Sequence, residues 1–161
     1  MVDKHTERTG SCHCGAARFS ISGKPLIRFV CHCTICQEFN KAGYADVTAF
    51  FAKDVVLDRK ESVEFRVYKQ PPLLKRGTCV ICARPAVEHL TIPLFPRLTV
   101  VPSGNIEESA SLPDPAFHMF YHRRKADMTD SLPKYSGYLN SQFRLIAALI
   151  TALLHKDGRP G

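Results

Sequence analysis

The sequence predicts a mainly β fold that ends in one α-helix. Short runs of apolar and β-branched residues follow one another through the first 138 residues, and turn-forming residues separate them. The 11 prolines and 9 glycines are spread along the chain rather than clustered, as expected for many short strands joined by turns. With 161 residues, 45% of them hydrophobic, the chain is long enough to form a domain with a sizeable core.

Seven segments have the composition of β-strands. The clearest is 63–68, where polar and apolar residues alternate so that Val63, Phe65 and Val67 share one face. A proline-rich turn follows it at 70–72. The predicted strands are 16–21, 26–30, 46–51, 63–69, 86–92, 98–101 and 117–121.

The last part of the chain is predicted to be an α-helix. Asn140 or Ser141 can cap its N-terminus, and Gly158 and Pro160 would end it. Because apolar residues lie on nearly every side, we expect the helix to dock on its own domain or to contact a membrane surface or a second copy of the chain, forming a homo-oligomer. The predicted division of the chain is 1–138 and 139–161.

The sequence predicts neither a membrane span nor a signal peptide. No apolar run approaches the roughly 20 residues that a transmembrane helix needs. Residues 1–10 are polar and charged, without the apolar stretch of a secretory signal. We therefore expect a cytoplasmic protein with no transmembrane segment.

The seven cysteines are the main chemical signal in the sequence. An odd number cannot pair completely in intramolecular disulfides, and cytoplasmic proteins rarely keep disulfides. Thiolates separated by one or two residues can reach the same ion from a tight turn, so their spacing predicts bound zinc. Every cysteine belongs to one of three clusters, which are Cys12-His13-Cys14, Cys31-His32-Cys33-Thr34-Ile35-Cys36 and Cys79-Val80-Ile81-Cys82.

We predict that four of the seven thiolates form a structural zinc site and that three form a second, open site. Structural zinc takes four protein ligands, whereas catalytic zinc keeps one position for water or substrate. An alternative uses His13 or His32 as an eighth ligand, although the middle residue of a Cys-x-Cys turn usually points away from the ion. The favoured structural set is Cys12, Cys14, Cys79 and Cys82, and the open set is Cys31, Cys33 and Cys36. The β fold is thus predicted to be stapled by zinc, with any catalysis assigned to the open site.

Other residues in the sequence offer little catalytic chemistry. His89 and His118 lie in strand-like runs and are interpreted as strand residues with satisfied hydrogen bonds. Glycine-rich phosphate loops, nucleophile elbows and paired carboxylates are missing from the sequence, so no organic cofactor is predicted. We assign no side chain as a catalytic residue.

The formal charge of +7 suggests an anionic partner such as nucleic acid. Seven thiolates around two divalent ions would reduce this charge to about +4, which is ordinary for a small domain. The basic cluster at 123–125 could contact nucleic acid, but such a cluster is more often a solvated turn. We therefore do not favour nucleic-acid binding, and we keep a non-catalytic zinc module that contacts nucleic acid or a protein as the alternative function.

The cysteine clusters and their flanking residues resemble the motifs of a known family. The first motif lies at 10–16, the second at 31–36 and the third at 76–82. Segments 106–109, 115–120 and 130–135 resemble the closing segments of the same family. Over roughly residues 8–138, the chain resembles the glutathione-dependent formaldehyde-activating enzyme family, which also includes centromere protein V.

This resemblance implies a mainly β fold with a structural zinc ion on the outer two cysteine pairs and a second zinc ion on the middle cluster. It also implies the joining of formaldehyde and glutathione to S-hydroxymethylglutathione, which is classed as a carbon–sulfur lyase reaction when written in reverse. The expected partner is a small thiol such as glutathione, which a three-thiolate zinc could hold as thiolate. The basic candidates for binding its carboxylates are Arg28, Lys69, Lys75 and Arg76.

Four features depart from the family pattern. Ala83 stands where glycine is common, and Gln37-Glu38 follows Cys36 where basic residues are frequent. The chain contains no tryptophan, and the predicted helix after residue 138 is additional to the usual domain. These departures leave the expected fold unchanged and the identity of the substrate open.

Overall fold

The computed structural model describes residues 7–155, which contain ten β-strands, two α-helices and several short 3-10 turns. The strands are β1 (Arg8–Ser11), β2 (Arg18–Ile21), β3 (Ile27–Cys31), β4 (Ala45–Phe51), β5 (Val55–Leu57), β6 (Val63–Val67), β7 (Leu74–Cys79), β8 (Pro85–Leu90), β9 (Leu98–Pro102) and β10 (His118–Met119). The helices are α1 (Thr34–Asn40) and α2 (Tyr138–His155). The predicted fold class, mainly β with a C-terminal helix, is confirmed.

The strands form two sheets. Seven strands make the larger sheet in the order β10-β3-β4-β9-β8-β7-β6, and all neighbours are antiparallel except β10 and β3, which run parallel. The smaller sheet has the order β1-β2-β5 and is antiparallel throughout. Most neighbouring strands are consecutive in the chain, and the exceptions are the pairs β10-β3, β4-β9 and β2-β5.

The core lies on both faces of the larger sheet, because successive side chains of a strand point to opposite faces. On one face, Val47 and Ala49 of β4 pack in a cluster with Leu149 of α2. On the other face, Phe50 of β4 packs in a cluster with Phe19 of the smaller sheet. The order of layers is therefore α2, the larger sheet and the smaller sheet.

All seven predicted strands overlap observed strands, and β1, β5, β7 and α1 were not predicted. The predicted strand 117–121 is shortened to β10 because Phe120 takes a left-handed conformation, with φ of 53°, and the chain turns there. The C-terminal helix begins at Tyr138 instead of at the predicted caps. Its predicted end at Gly158 and Pro160 lies outside the described residues, and the division of the chain at residue 138 stays a prediction.

Within residues 7–155, the helices are too short or too polar to cross a bilayer.

Candidate metal centres and the adjoining cavity

Four cysteines from two distant turns lie together at the junction of the two sheets. Cys12 and Cys14 lie in the β1–β2 turn, and Cys79 and Cys82 lie at the β7–β8 turn. The four sulfur atoms lie within 4.8 Å of one another and could hold a metal ion. Gly15 has a φ of 80°, a left-handed conformation that glycine adopts without strain, and it lets the first turn fold back.

Backbone N–H groups support negative charge on this group. The Ala17 N–H donates to the Cys12 sulfur at 3.3 Å, and the Ile81 N–H donates to the Cys79 sulfur at 3.4 Å. Burial opposes ionisation of Cys12, but the Ala17 N–H and the neighbouring thiols lower its pKa to about 6. A thiolate is the form of cysteine that binds metals, so this electrostatic environment suits a cation.

The other three cysteines lie together where β3 meets α1. Cys31 ends β3, Cys33 precedes α1 and Cys36 lies in its first turn, and their sulfur atoms are within 4.8 Å of one another. The Cys33 sulfur accepts the Cys36 N–H at 3.3 Å and so caps the helix. Cys31 and Cys36 are buried, whereas Cys33 is half-buried. This group could also hold a metal ion.

The three thiols compete for one negative charge. Hydrogen bonds from Cys31 and then from Cys36 lower the pKa of Cys33, and the same Cys33 bond raises the pKa of Cys31. Three close sulfurs cannot all ionise without a positive charge between or beside them. The arrangement therefore favours a bound cation.

A buried arginine supplies positive charge beside the three-cysteine group. In the register of β7 and β8, Arg76 lies opposite Glu88. The Arg76 Nη1 donates to Glu88 Oε2 at 2.7 Å, and its Nη2 donates to the Cys36 sulfur at 3.4 Å. Burial raises the pKa of Glu88 to about 7, with Arg76 opposing the shift. Burial opposes the charge on Arg76, yet Glu88 and Cys36 raise its pKa, so the guanidinium remains charged.

A cavity of about 440 Å³ opens at the three-cysteine group. Cys31, Cys33 and Cys36 line it together with residues of β7, β8 and α2. Of the four basic residues proposed from the sequence, Lys69 and Arg76 line this cavity. Arg28 instead pairs with Asp46 at 2.7 Å, and Lys75 lies opposite His89 in the sheet.

Two histidines and an aspartate form a hydrogen-bonded network that no sequence pattern predicts. The Asp130 carboxylate accepts from His118 Nε2 at 3.0 Å, and His118 Nδ1 lies 2.8 Å from His32 Nε2. When His118 is neutral and its Nε2–H donates to Asp130, its Nδ1 accepts the His32 Nε2–H. Burial, followed by the charges of His118 and Arg124, lowers the pKa of His32 to about 4.

The hydrogen bond between His32 and His118 argues against the alternative in which a histidine is an eighth metal ligand. Neither His13 nor His32 belongs to the two groups of potential ligands: His13 is exposed, and His32 bonds to His118. The seven cysteines thus meet in a group of four and a group of three with the memberships that the sequence favoured, and their role as zinc ligands stays a prediction.

The chain is compared with solved structures, curated proteins and protein-family models. A crystal structure of a Rhodobacter sphaeroides protein is 20% identical to this chain, with a TM-score of 0.49, and the match covers 62% of this chain and 88% of that chain. No curated protein matches this chain significantly. The family model described as glutathione-dependent formaldehyde-activating enzyme matches residues 7–123, which is more than half of the chain and contains all seven cysteines. The chain therefore belongs to the glutathione-dependent formaldehyde-activating enzyme family.

Proposed function

We propose that the chain is a zinc-dependent enzyme that joins glutathione, or a closely similar small thiol, to formaldehyde, a carbon–sulfur lyase reaction when written in reverse. The observation that carries the proposal is the three-cysteine group on the wall of a cavity of about 440 Å³. Such a group leaves one coordination position for a ligand from the cavity. The family to which the chain belongs supports glutathione and formaldehyde as the reactants.

Both cysteine groups suit zinc by their donor chemistry. Thiolates are preferred ligands of zinc, and four of them make a closed structural site. We assign Cys12, Cys14, Cys79 and Cys82 to a structural ion, and Cys31, Cys33 and Cys36 to a second, catalytic ion. When bound by the second set, zinc supplies a positive centre that keeps an incoming thiol ionised at neutral pH.

The protein's own residues tune and orient this site. Three thiolates and one divalent ion carry a net negative charge, and the Arg76 guanidinium beside Cys36 offsets it. Lys69 and Arg123 line the same cavity and can pair with the carboxylates of glutathione. In this proposal, such pairing orients the thiol sulfur toward the three-cysteine group, which lines the same cavity.

The proposed reaction balances without a further reactant. The thiol sulfur attacks the carbonyl carbon of formaldehyde and forms the carbon–sulfur bond. The π-electron pair of the C=O bond moves to the oxygen, which takes up the proton that the thiol released. The product is the hemithioacetal S-hydroxymethylglutathione, and the lyase direction reverses each of these changes.

Metal analysis and a thiol-dependent spectrum test this proposal. The purified protein should contain two zinc ions, and cobalt in their place should give a sulfur-ligand spectrum that shifts when glutathione is added. Cys33→Ser should lose one metal, this shift and the formation of S-hydroxymethylglutathione followed by NMR. Two metals with no response to glutathione and no product would refute the proposal and favour the non-catalytic zinc module.

Nucleic-acid binding gains no support from the basic cluster at 123–125. Arg124 bonds to Asp127 and lies over the Tyr121 ring, so this charge is engaged within the protein. The cytoplasmic location stays a prediction of the sequence.

A further inference from the structure

The C-terminal helix forms one wall of the cavity beside the three-cysteine group. Tyr138, Gln142, Leu145 and Ile146, which lie along one side of α2, line this cavity. The helix is held in place by Leu149, which is 1% exposed in the core. Its first turn is held by Ser141, whose hydroxyl accepts the Phe120 N–H at 2.8 Å. The matched family region ends at residue 123, so this wall lies outside it.

The wall makes the cavity more apolar than formaldehyde and glutathione require. Leu145 and Ile146 of α2 face the same cavity as Leu74 and Leu90 of the larger sheet and Ile92 beyond it. Glutathione carries two carboxylates and one ammonium group, and its formaldehyde adduct adds a hydroxyl. None of these groups gains from contact with aliphatic walls, because burying an unpaired polar group is unfavourable.

The charged residues of the cavity bind each other or the thiol's carboxylates, so they provide no polar partner at the aliphatic walls. Arg76 and Glu88 bond to each other, and Arg76 also bonds to Cys36. Lys69 and Arg123 can bind the thiol's carboxylates, as proposed above. The aliphatic surface between α2 and β7 and β8 thus remains for an apolar part of the ligand.

We infer that this enzyme prefers thiol–aldehyde adducts that carry an apolar chain, which lies between Leu145 and Ile146 of α2 and Leu74 and Leu90 of the sheet. The inference rests on the proposed function for the reacting atoms. The thiol sulfur again adds to the carbonyl carbon, and the oxygen takes up the thiol proton, so that a longer aldehyde leaves the balance unchanged. The apolar chain can belong to the aldehyde or to the thiol.

Two substrate pairs distinguish these sources in the full-length zinc-loaded protein. One pair is hexanal with glutathione, and the other is formaldehyde with butanethiol; formaldehyde with glutathione is the reference. We expect kcat/KM to exceed the reference by at least about tenfold for one of the two pairs, because a few buried methylene groups give that discrimination. Values at or below the reference for both pairs would overturn the inference, and formaldehyde turnover would still support the proposed function.

A binding measurement tests the wall without turnover. By calorimetry, S-hexylglutathione should bind at least about tenfold more tightly than S-methylglutathione. Ile146→Ala should reduce that ratio, and Ile146→Gln should reduce it further by placing an amide on the wall. Thr151→Ala truncates an exposed residue of the same helix outside the cavity and should leave the ratio unchanged.

Together, the turnover and binding experiments distinguish a failure of the proposed function from a failure of the apolar site. A high hexyl-to-methyl ratio that depends on Ile146, in a protein without turnover, would refute the proposed function and keep the apolar site. Equal binding of the two probes, or an equal ratio in the Ile146 and Thr151 variants, would overturn the apolar site. Circular dichroism and thermal unfolding of each variant exclude a loss of fold as the cause.

Discussion

At the scale of single residues, the metal-site cysteines can be predicted from the sequence, whereas the groups that support them cannot. The spacing of the cysteines alone predicts a metal site, since two cysteines separated by one or two residues can bind the same ion. Arg76, His118 and Asp130 reach their partners only through strand register and loop placement, as when Arg76 lies opposite Glu88 in β7 and β8. A sequence can predict the metal groups, but it cannot predict contacts that depend on a register not yet known.

The buried Arg76 gives the sharpest single-residue prediction. Arg76→Gln leaves Glu88 buried without its cation and removes the donor to Cys36, so we expect a loss of about 3–5 kcal/mol in the free energy of unfolding. Urea unfolding measures this loss. The cobalt spectrum of the three-cysteine group should shift as well.

Arg66→Gln is the matched control for Arg76. Arg66 lies opposite Arg76 on the neighbouring strand and pairs with Glu64. The side chains of Arg66 and Glu64 are both exposed, unlike those of Arg76 and Glu88. Exposed ion pairs contribute about 0–1 kcal/mol, so this variant should unfold near wild type. Equal losses in the two variants would contradict the role given to the buried pair.

Ala83 gives a prediction with the opposite sign. Its φ of 54° is a left-handed conformation that costs a residue with a Cβ atom about 1–2 kcal/mol. The Ala83 N–H donates to the Cys79 carbonyl at 2.9 Å, so the turn is fixed in this shape. Ala83→Gly should therefore raise the free energy of unfolding by about 1 kcal/mol.

A helix position provides the contrast for Ala83. Ala147 is exposed in the interior of α2, where glycine costs about 1 kcal/mol relative to alanine. Ala147→Gly should thus destabilise the protein in the same urea titration. Destabilisation by Ala83→Gly would show that the left-handed turn is not under strain.

At the scale of elements, strands with regular apolar patterns could be predicted, and irregular elements could not. β7 (Leu74–Cys79) was missed because Lys75 and Arg76 interrupt its apolar pattern, and the pairing of Arg76 with Glu88 became visible only in the sheet. α1 was missed because it has only seven residues and is capped by the sulfur of Cys33, which is not among the usual capping residues. Tertiary contacts and the cysteine geometry determine these elements, rather than local propensity.

The start of α2 shows why a cap can be predicted at the wrong position. Ser141 was one of two predicted caps, but it lies inside the helix, where its buried hydroxyl accepts the Phe120 N–H and donates to the Tyr135 carbonyl. Ser141→Ala leaves the Phe120 N–H without this partner and should cost about 1–3 kcal/mol. Thermal and urea unfolding would measure the loss.

The other predicted cap serves as the control for Ser141. Asn140 is exposed, and Asn140→Ala should change stability by no more than about 0.5 kcal/mol. The Ser141 variant should also weaken binding of S-hexylglutathione, because Ser141 positions the wall of the cavity. A larger loss from Asn140→Ala than from Ser141→Ala would restore Asn140 as the cap.

At the scale of the whole molecule, the two cysteine groups differ in what they connect. The four-cysteine group joins the β1–β2 turn of the smaller sheet to the β7–β8 turn of the larger sheet. The three-cysteine group joins β3 to the helix that follows it directly. A metal ion on the first group therefore closes a long-range contact, whereas one on the second holds a local segment.

This difference predicts unequal effects of losing one sulfur. Cys79→Ser should greatly lower the stability of the whole domain, because the binding free energy of a structural metal is also folding free energy. Cys33→Ser should keep the fold and lose one metal. Circular dichroism, urea unfolding and metal content measure both variants, and equal destabilisation would refute the division into a structural and an open site.

The outer face of α2 leads to the last prediction, about assembly. Leu139, Phe143, Ile150 and Leu154 are spaced by four, seven and four residues, so they lie along one side of the helix. They are exposed by 68, 70, 43 and 69%, and the core contact of α2 uses Leu149 instead. An apolar row of this kind on a helix of 18 residues is typical of a helix-to-helix interface.

The homo-oligomer expected from the sequence would form through this row, with each helix covering the other's apolar side. Sedimentation should give twice the chain mass of 18.0 kDa, and Phe143→Glu combined with Leu154→Glu should give the single-chain mass with an unchanged circular dichroism spectrum. The pair Val56→Glu and Leu94→Glu, at exposed apolar residues outside α2, should keep the double mass. A single-chain mass for the wild type at micromolar concentration would contradict the proposal, because the row would then face water in the native protein. Since the neighbouring side of α2 lines the cavity, pairing would also hold the wall of the site in place.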